Sequence, residues 1–219
     1  MAIRMSPLAR AVRFSSTDGL DLEGRYTPGD PARAVILCHP HPLYGGSMLT
    51  PVIMTVEQGF RKTGFTTLIF NFRGVGGSQG RHGGGEAETA DVAGAFRYLE
   101  ETLAAPPSLL AVAGYSFGSV VGGRVAARDP RVGFYLGVAP PVTHDPMTFL
   151  REARCPVALL GAGRDEFCSP EAFAALVAAL PGPRWHRVLE SDHAFAGAAR
   201  ALLQGVRDAI DWAESVGAG

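Results

Sequence analysis

Gly114-Tyr115-Ser116-Phe117-Gly118 carries the strongest chemical signal in the chain. The segment fits G-x-S-x-G and lies where the apolar run Leu109–Tyr115 meets the helical spacing of Phe117–Arg128. At such a strand-to-helix turn the flanking residues must be small because the two elements nearly touch. The serine hydroxyl is lifted clear of the sheet at a helix N-terminus, where developing negative charge is favoured. A Gly-Ser turn without chemistry is the alternative, and the strand–turn–helix context favours a nucleophile at Ser116. A serine hydroxyl needs a base, and the base needs an orienting acid, in the chain order serine, acid, histidine. Of the downstream His144, His186 and His193, only His193 lies just past the last apolar run, in Ser191-Asp192-His193, and it is the expected base. His186 falls inside that run and reads as a half-buried histidine. Asp165 follows the run Pro156–Leu160 through Gly161-Ala162-Gly163 and precedes the helix start Ser169-Pro170, a setting that fixes a carboxylate. It is the expected acid. Asp145, which precedes Pro146 and has a turn or cap as its other reading, is the substitute. Glu166, Asp192 and Asp91 read as solvated or packing-edge carboxylates.

These residues need a scaffold, and the apolar pattern supplies one. Arg33–His39, Thr66–Phe72, Leu109–Tyr115, Val132–Val138 and Pro156–Leu160 are short, nearly continuous apolar runs of the kind buried on both faces of a parallel sheet. Helical spacing separates them over Leu49–Thr63, Glu86–Leu103, Phe117–Arg128 and Pro170–Leu180. Trp185–Leu189 predicts a last strand and Ala198–Val216 a closing helix. Ala11–Phe14 and Leu20–Tyr26, split by Thr-Asp-Gly, predict a hairpin. The expected fold is α/β: a doubly wound, mostly parallel sheet of about eight strands with an N-terminal antiparallel hairpin, in a single domain over 1–219. Gly74–Gly85 reads as a flexible loop. It is not a dinucleotide fingerprint, because Gln79 occupies the third glycine position.

The 219 residues are 47% hydrophobic and 19% charged, which excludes a disordered chain or a coiled coil. Twenty basic residues, of which Lys62 is the one lysine, against 21 acidic give a net charge of −1, so no nucleic-acid or anionic-membrane partner is expected. Cys38, Cys155 and Cys168 are too few and too scattered for a disulfide framework or a zinc site, and read as free thiols in a reducing cytosol. The first residues are basic without the apolar stretch of about 7–15 residues that a secretory signal needs. No run approaches the roughly 18 residues of a membrane span. A cytoplasmic protein, monomer or homodimer, is the expectation. His39-Pro40-His41 has a metal-ligand spacing, but nothing nearby supplies the third ligand a catalytic zinc needs, so no metal and no cofactor are expected.

The GYSFG turn, Asn71–Ser78 (NFRGVGGS), Gly161–Glu166 (GAGRDE) and Ser191–Phe195 (SDHAF) together resemble the serine α/β-hydrolases, from roughly Arg33 to the C-terminus. Within them the chain is similar to the small, lidless dienelactone-hydrolase-like and acyl-peptidase-core branch. It departs in having Ser116 where dienelactone hydrolases have cysteine, Asn71 where the loop commonly begins with Asp, and Ala194 where an aromatic often follows the histidine. The resemblance implies hydrolysis of small carboxylic esters or thioesters through an acyl-enzyme on Ser116. The rivals are an acyl-peptide or amide hydrolase with the same three residues, and a non-catalytic binding protein on a hydrolase fold. It also implies an oxyanion hole. One donor is the N–H of Phe117; the other comes from His39–Gly46, where Pro40 and Pro42 have no N–H. His41 is the choice and Leu43 the second. Arg73 and Ser78 match the family loop, Arg73 being either a structural tie or simply exposed. Residues 139–154 leave too little chain for a lid beyond one helix over Pro146–Ala153, so the site should be an open cleft edged by Tyr44, Tyr115 and Gly74–Gly85. Short acyl groups should be preferred there.

Overall fold

The computed structural model describes residues 8–217; the first seven residues of the N-terminal segment read for a signal, and the last two residues of the chain, lie outside them. Eight strands form one sheet: β1 (Arg10–Ser15), β2 (Asp21–Thr27), β3 (Asp30–Cys38), β4 (Phe65–Phe70), β5 (Leu109–Tyr115), β6 (Phe134–Val138), β7 (Val157–Arg164) and β8 (Arg184–Asp192). Their order is β1-β2-β4-β3-β5-β6-β7-β8. β1 pairs with β2 and β2 with β4 antiparallel, and every other pair is parallel. Among the described residues the α-helices are α1 (Pro51–Lys62), α2 (Thr89–Thr102), α3 (Phe117–Arg128), α4 (Pro170–Ala179) and α5 (Ala199–Gly217).

The two-sided burial follows from the period of a strand, whose successive side chains point to opposite faces. Val35, Leu37, Ala111, Ala113, Phe134 and Leu136 join Ile53, Phe60, Val206 and Ile210 of α1 and α5 on one face. Ile36, Val112, Tyr135 and Leu159 join Phe96, Val121 and Leu176 of α2, α3 and α4 on the other. Each fully buried aliphatic or aromatic side chain is worth about 1.5–3 kcal/mol. Helix starts are specified locally. Pro51 and Pro170 occupy first turns, and the Ser169 hydroxyl accepts from the Ala172 N–H.

One topological fact places the site. From β3 the chain passes to β4 on one side, then returns to β5 on the other, and in open α/β sheets ligands bind at the carboxyl ends of strands beside such a reversal. His41 follows β3 and Ser116 follows β5.

Two expectations are corrected here. Residues 139–154 contain no α-helix over Pro146–Ala153; there is a 3₁₀ turn at Thr148–Glu152. Met147 is left-handed (φ 48°) and fully buried, so helical geometry cannot start at Pro146. The Gly74–Gly85 loop is tied down, not loose. Its N–H groups at Gly74, Gly77 and Gln79 are bonded to Gln79 O, Glu23 Oε1 and Asp21 O, and Ser78 Oγ donates to Asn71 O. Segment 139–154 forms no cap.

Candidate active site

Ser116 stands alone between β5 and α3 with φ 53° and ψ −122°. A non-glycine residue held there costs about 1–3 kcal/mol and persists only when its surroundings fix it. They do: the Ser116 N–H donates to Val138 O (2.9 Å), Ser119 Oγ donates to Ser116 O (2.6 Å), and Tyr135 OH donates to Ser119 O (2.6 Å). The two glycines are steric necessities. A Cβ on Gly114 would strike the Gly118 carbonyl, and one on Gly118 would strike the Cys38 carbonyl.

His193 follows the last residue of β8, and its Nε2 lies 3.0 Å from Ser116 Oγ. Its Nδ1 is 2.9 Å from each oxygen of Asp165, which follows β7. The Asp165 side chain is 1% exposed and that of His193 15%, and Asp165 Oδ1 also accepts the Phe167 N–H. The His193 ring lies against Phe167 (4.6 Å between centroids) and Tyr115 (5.3 Å). Tyr115 is not a rim residue. It is buried, and its hydroxyl, pushed up to about 12 by burial, donates to His193 O at 3.1 Å.

Asp145 is engaged elsewhere, accepting from Arg124 Nη2 (2.9 Å) and the Met147 N–H (2.8 Å). Glu166 and Asp192 are exposed; so is His186, which was expected half-buried but lies on the sheet's open edge strand. Asp91 is the clearest correction among the carboxylates. It is fully buried, and its oxygens accept the Arg73 N–H and guanidinium at 2.7–3.0 Å, while Arg73 also clamps Asp18 bidentately at 2.9 Å. Burial raises the Asp91 pKa against the pull of Arg73. Arg73 is thus a structural tie between the β1–β2 turn, the loop after β4 and α2. Asn71 also has a reason to be an amide. Its Nδ2 donates to Glu23 Oε1 and its Oδ1 accepts the Met48 N–H, a pairing that an ionised Asp could not make.

On the β3 side, His39 is fully buried and both ring nitrogens are used. Nδ1 lies 2.6 Å from Pro40 O, and Nε2 accepts the Phe72 N–H at 3.0 Å. Burial lowers its pKa to about 4, so it is a neutral internal tie. Among the described residues no group of three or more His, Cys, Asp or Glu is arranged to hold a metal ion. The Leu43 N–H donates to His41 Nδ1 (3.2 Å), which removes the second choice of oxyanion donor. No backbone hydrogen bond among the described residues takes the N–H of His41 or of Phe117. The three cysteines are free and buried, with Cys155 and Cys168 pushed up to about 11 by burial, so none has the thiolate character of a nucleophile.

Sequence reasoning missed the pair His82 and Glu88. Glu88 is fully buried and accepts the N–H groups of Gly83 (2.8 Å) and Gly85 (2.7 Å). His82 Nδ1 lies 2.9 Å from Glu88 Oε1 but is not aligned for a hydrogen bond. Nothing in the spacing of a glycine-flanked histidine and a glutamate six positions on announces this. A pocket of about 290 Å³ between the Pro146–Arg151 segment and α4 includes neither Ser116, His193 nor Asp165.

Known proteins agree with this architecture. No protein-family model matches the chain. A protein of unknown function from Agrobacterium tumefaciens, placed among the α/β hydrolases, is 32% identical, with a TM-score of 0.85 covering 92% of this chain and 95% of that one. The chain belongs to the α/β-hydrolase family. An α/β serine hydrolase homologue from Coxiella burnetii is 28% identical, with a TM-score of 0.82 covering 94% and 99% of the two chains. An uncharacterised protein of Rickettsia prowazekii is 33% identical over 180 residues, 80% of this chain and 75% of that protein. Hydrolysis is the general chemistry that the α/β-hydrolase fold and these relatives support. Among the described residues no helix is long and apolar enough to cross a membrane.

Proposed function

We propose that this α/β-hydrolase is a single-domain, cytoplasmic serine hydrolase of the small dienelactone-hydrolase-like branch, cleaving small carboxylic esters or thioesters through an acyl-enzyme on Ser116. The observation that carries this reading is the continuous line from Asp165 through His193 (2.9 Å) to Ser116 Oγ (3.0 Å). Ser116 Oγ attacks the carbonyl carbon while His193 Nε2 takes its proton, and Asp165 holds the resulting imidazolium in place. The developing oxyanion is met by the N–H groups of Phe117, at the start of α3, and His41. Collapse breaks the bond to the alcohol or thiol, which takes the proton from His193; water then attacks the acyl carbon while giving a proton to His193, the bond to Ser116 Oγ breaks, and His193 returns that proton to Ser116 as the acid leaves.

With no cap over residues 139–154, a long acyl chain finds little wall, and each CH₂ left in water forfeits up to about 0.8 kcal/mol of binding. From p-nitrophenyl acetate through butyrate and octanoate to palmitate, kcat/KM should not climb. The deciding experiment is labelling with a fluorophosphonate, which reacts only with an activated serine, together with turnover by Ser116→Ala. The wild type should label at Ser116, and the variant should lose roughly 10⁴–10⁶ in kcat. Near-wild-type turnover in folded Ser116→Ala protein would end the acyl-enzyme account.

A further inference from the structure

Six large hydrophobic side chains stand exposed among the described residues, and three of them, Leu43 (71%), Tyr44 (87%) and Leu49 (58%), come from the one short loop that carries His41. Clustered apolar exposure of this kind marks a contact surface more than scattered single residues do. Beneath the lip lies a group of rings. His41 meets Tyr44, His82 and Phe117 at centroid distances of 4.7, 4.8 and 4.9 Å, and His82 meets Phe117 at 5.3 Å. Phe117 is the residue after Ser116, and its ring continues inward to Phe72 at 5.8 Å. His82 is held in this group by construction. The glycine loop wraps the buried Glu88 carboxylate through two N–H groups, and a Cβ on Gly85, which has φ +94°, would press on the Phe117 ring. Burial, with His82 beside it, lowers the His41 pKa and keeps that imidazole a neutral flat surface.

We propose that His41, Tyr44, His82 and Phe117 form a shelf beside Ser116 that seats a flat, unsaturated group of the substrate, so that the enzyme selects esters carrying an aromatic ring over saturated esters of equal size. The proposal rests on the serine-hydrolase reading. Offset and edge-to-face contacts with ring faces reward a planar partner beyond its apolar area. A cyclohexyl group of similar size forgoes that gain.

Two substrate pairs matched in size test it, each kcat/KM being divided by the rate of alkaline hydrolysis of that ester because the phenyl group raises intrinsic reactivity: methyl phenylacetate against methyl cyclohexylacetate for the acyl side, and benzyl acetate against cyclohexylmethyl acetate for the alcohol side. One pair should show kcat/KM favouring the aromatic member by roughly 3- to 10-fold, within the range that one aromatic contact supplies. The ratio should shrink towards one in His82→Leu, which keeps bulk but loses the π face, and in Tyr44→Ala, whose exposed position spares folding. Equal turnover of both members in both pairs, with Ser116 labelled by fluorophosphonate, overturns the shelf and leaves the hydrolase reading standing. A ratio that survives both variants overturns these residues as its source. A wild-type dimer that Tyr44→Ala dissociates, with no loss of the ratio, assigns the lip to a second copy instead. No turnover and no labelling overturns the hydrolase reading and the shelf together.

Discussion

Two carboxylate–imidazole pairs flank β5, one after β7 and β8, the other after β4, and they are nearly identical in burial. The side chains of Asp165 and Glu88 are 1% and 0% exposed, and those of His193 and His82 are 15% each. Their alignment separates them. Both Asp165 oxygens address His193 Nδ1, which leaves Nε2 aimed at Ser116 Oγ. The Glu88 oxygens are spent on the N–H groups of Gly83 and Gly85, and the His82 ring packs on His41 and Phe117 with its Nδ1 out of line. Burial and residue type alone therefore do not identify a proton-transfer pair. In the proposed mechanism it is what the second nitrogen reaches that separates the two pairs.

The largest effect that tests this contrast is Asp165→Asn, which keeps the shape of the first pair but misplaces the tautomer and should lower kcat by up to about 10⁴. Asp145→Asn should lose far less, because Asp145 serves Arg124 and the Met147 N–H. The reverse ranking would break the assignment. The second test uses pH. Folded His39 has its pKa lowered to about 4 by burial, so between pH 6.5 and 4 the unfolded chain takes up a proton that the folded one refuses. Stability falls as pH falls through that window, by roughly 3 kcal/mol for this group. Thermal denaturation at pH 7, 5.5 and 4 should show His39→Gln starting lower but losing part of the slope; coincident slopes would show that His39 does not titrate this way. Third, Glu88→Gln offers one acceptor oxygen to two N–H groups, and the unmet one should cost about 1–3 kcal/mol in urea denaturation. Its kcat should fall by less than about 10-fold, within the range of one aromatic contact. A loss near that of Asp165→Asn would make the second pair catalytic as well. The smallest effect is Tyr115→Phe. Removing the bond to His193 O, worth about 0.5–1.5 kcal/mol, should cut kcat a few-fold and leave KM in place.

The first pair was legible in the sequence and the second was not. β5 and α3 begin and end where the apolar run and the G-x-S-x-G turn place them, because strong periodicity and an obligatory turn act at the same residues. β7 runs on to Arg164 through Gly161-Ala162-Gly163, small residues with little strand preference of their own, because β8 pairs with them. That extension carries Asp165 towards the carboxyl edge. Asp91 and Arg73 gave no sign of burial, since each is polar in its local context and their pairing links residues 18 positions apart. Tyr115 was expected at the edge of the cleft; only the fold reveals that its hydroxyl is occupied by His193 O. The glycine loop looked flexible from composition, while its hydrogen-bond partners lie on β2, far away in sequence.

The contact between Gly118 and the Cys38 carbonyl has a mechanical consequence. Because α3 rests at that point on the end of β3, the spacing between Ser116 and the His41 loop is set by the thickness of a single hydrogen atom at position 118. A methyl group there would push apart two halves of a gauge, not deform one of them. Gly118→Ala should then leave a hydroxyl that still meets His193 but addresses a carbonyl whose oxygen has moved away from its amide. Under the proposed mechanism such an enzyme would both acylate and deacylate slowly, since each step passes through an oxyanion, and its fault would be one of tolerance, with every chemical group still present.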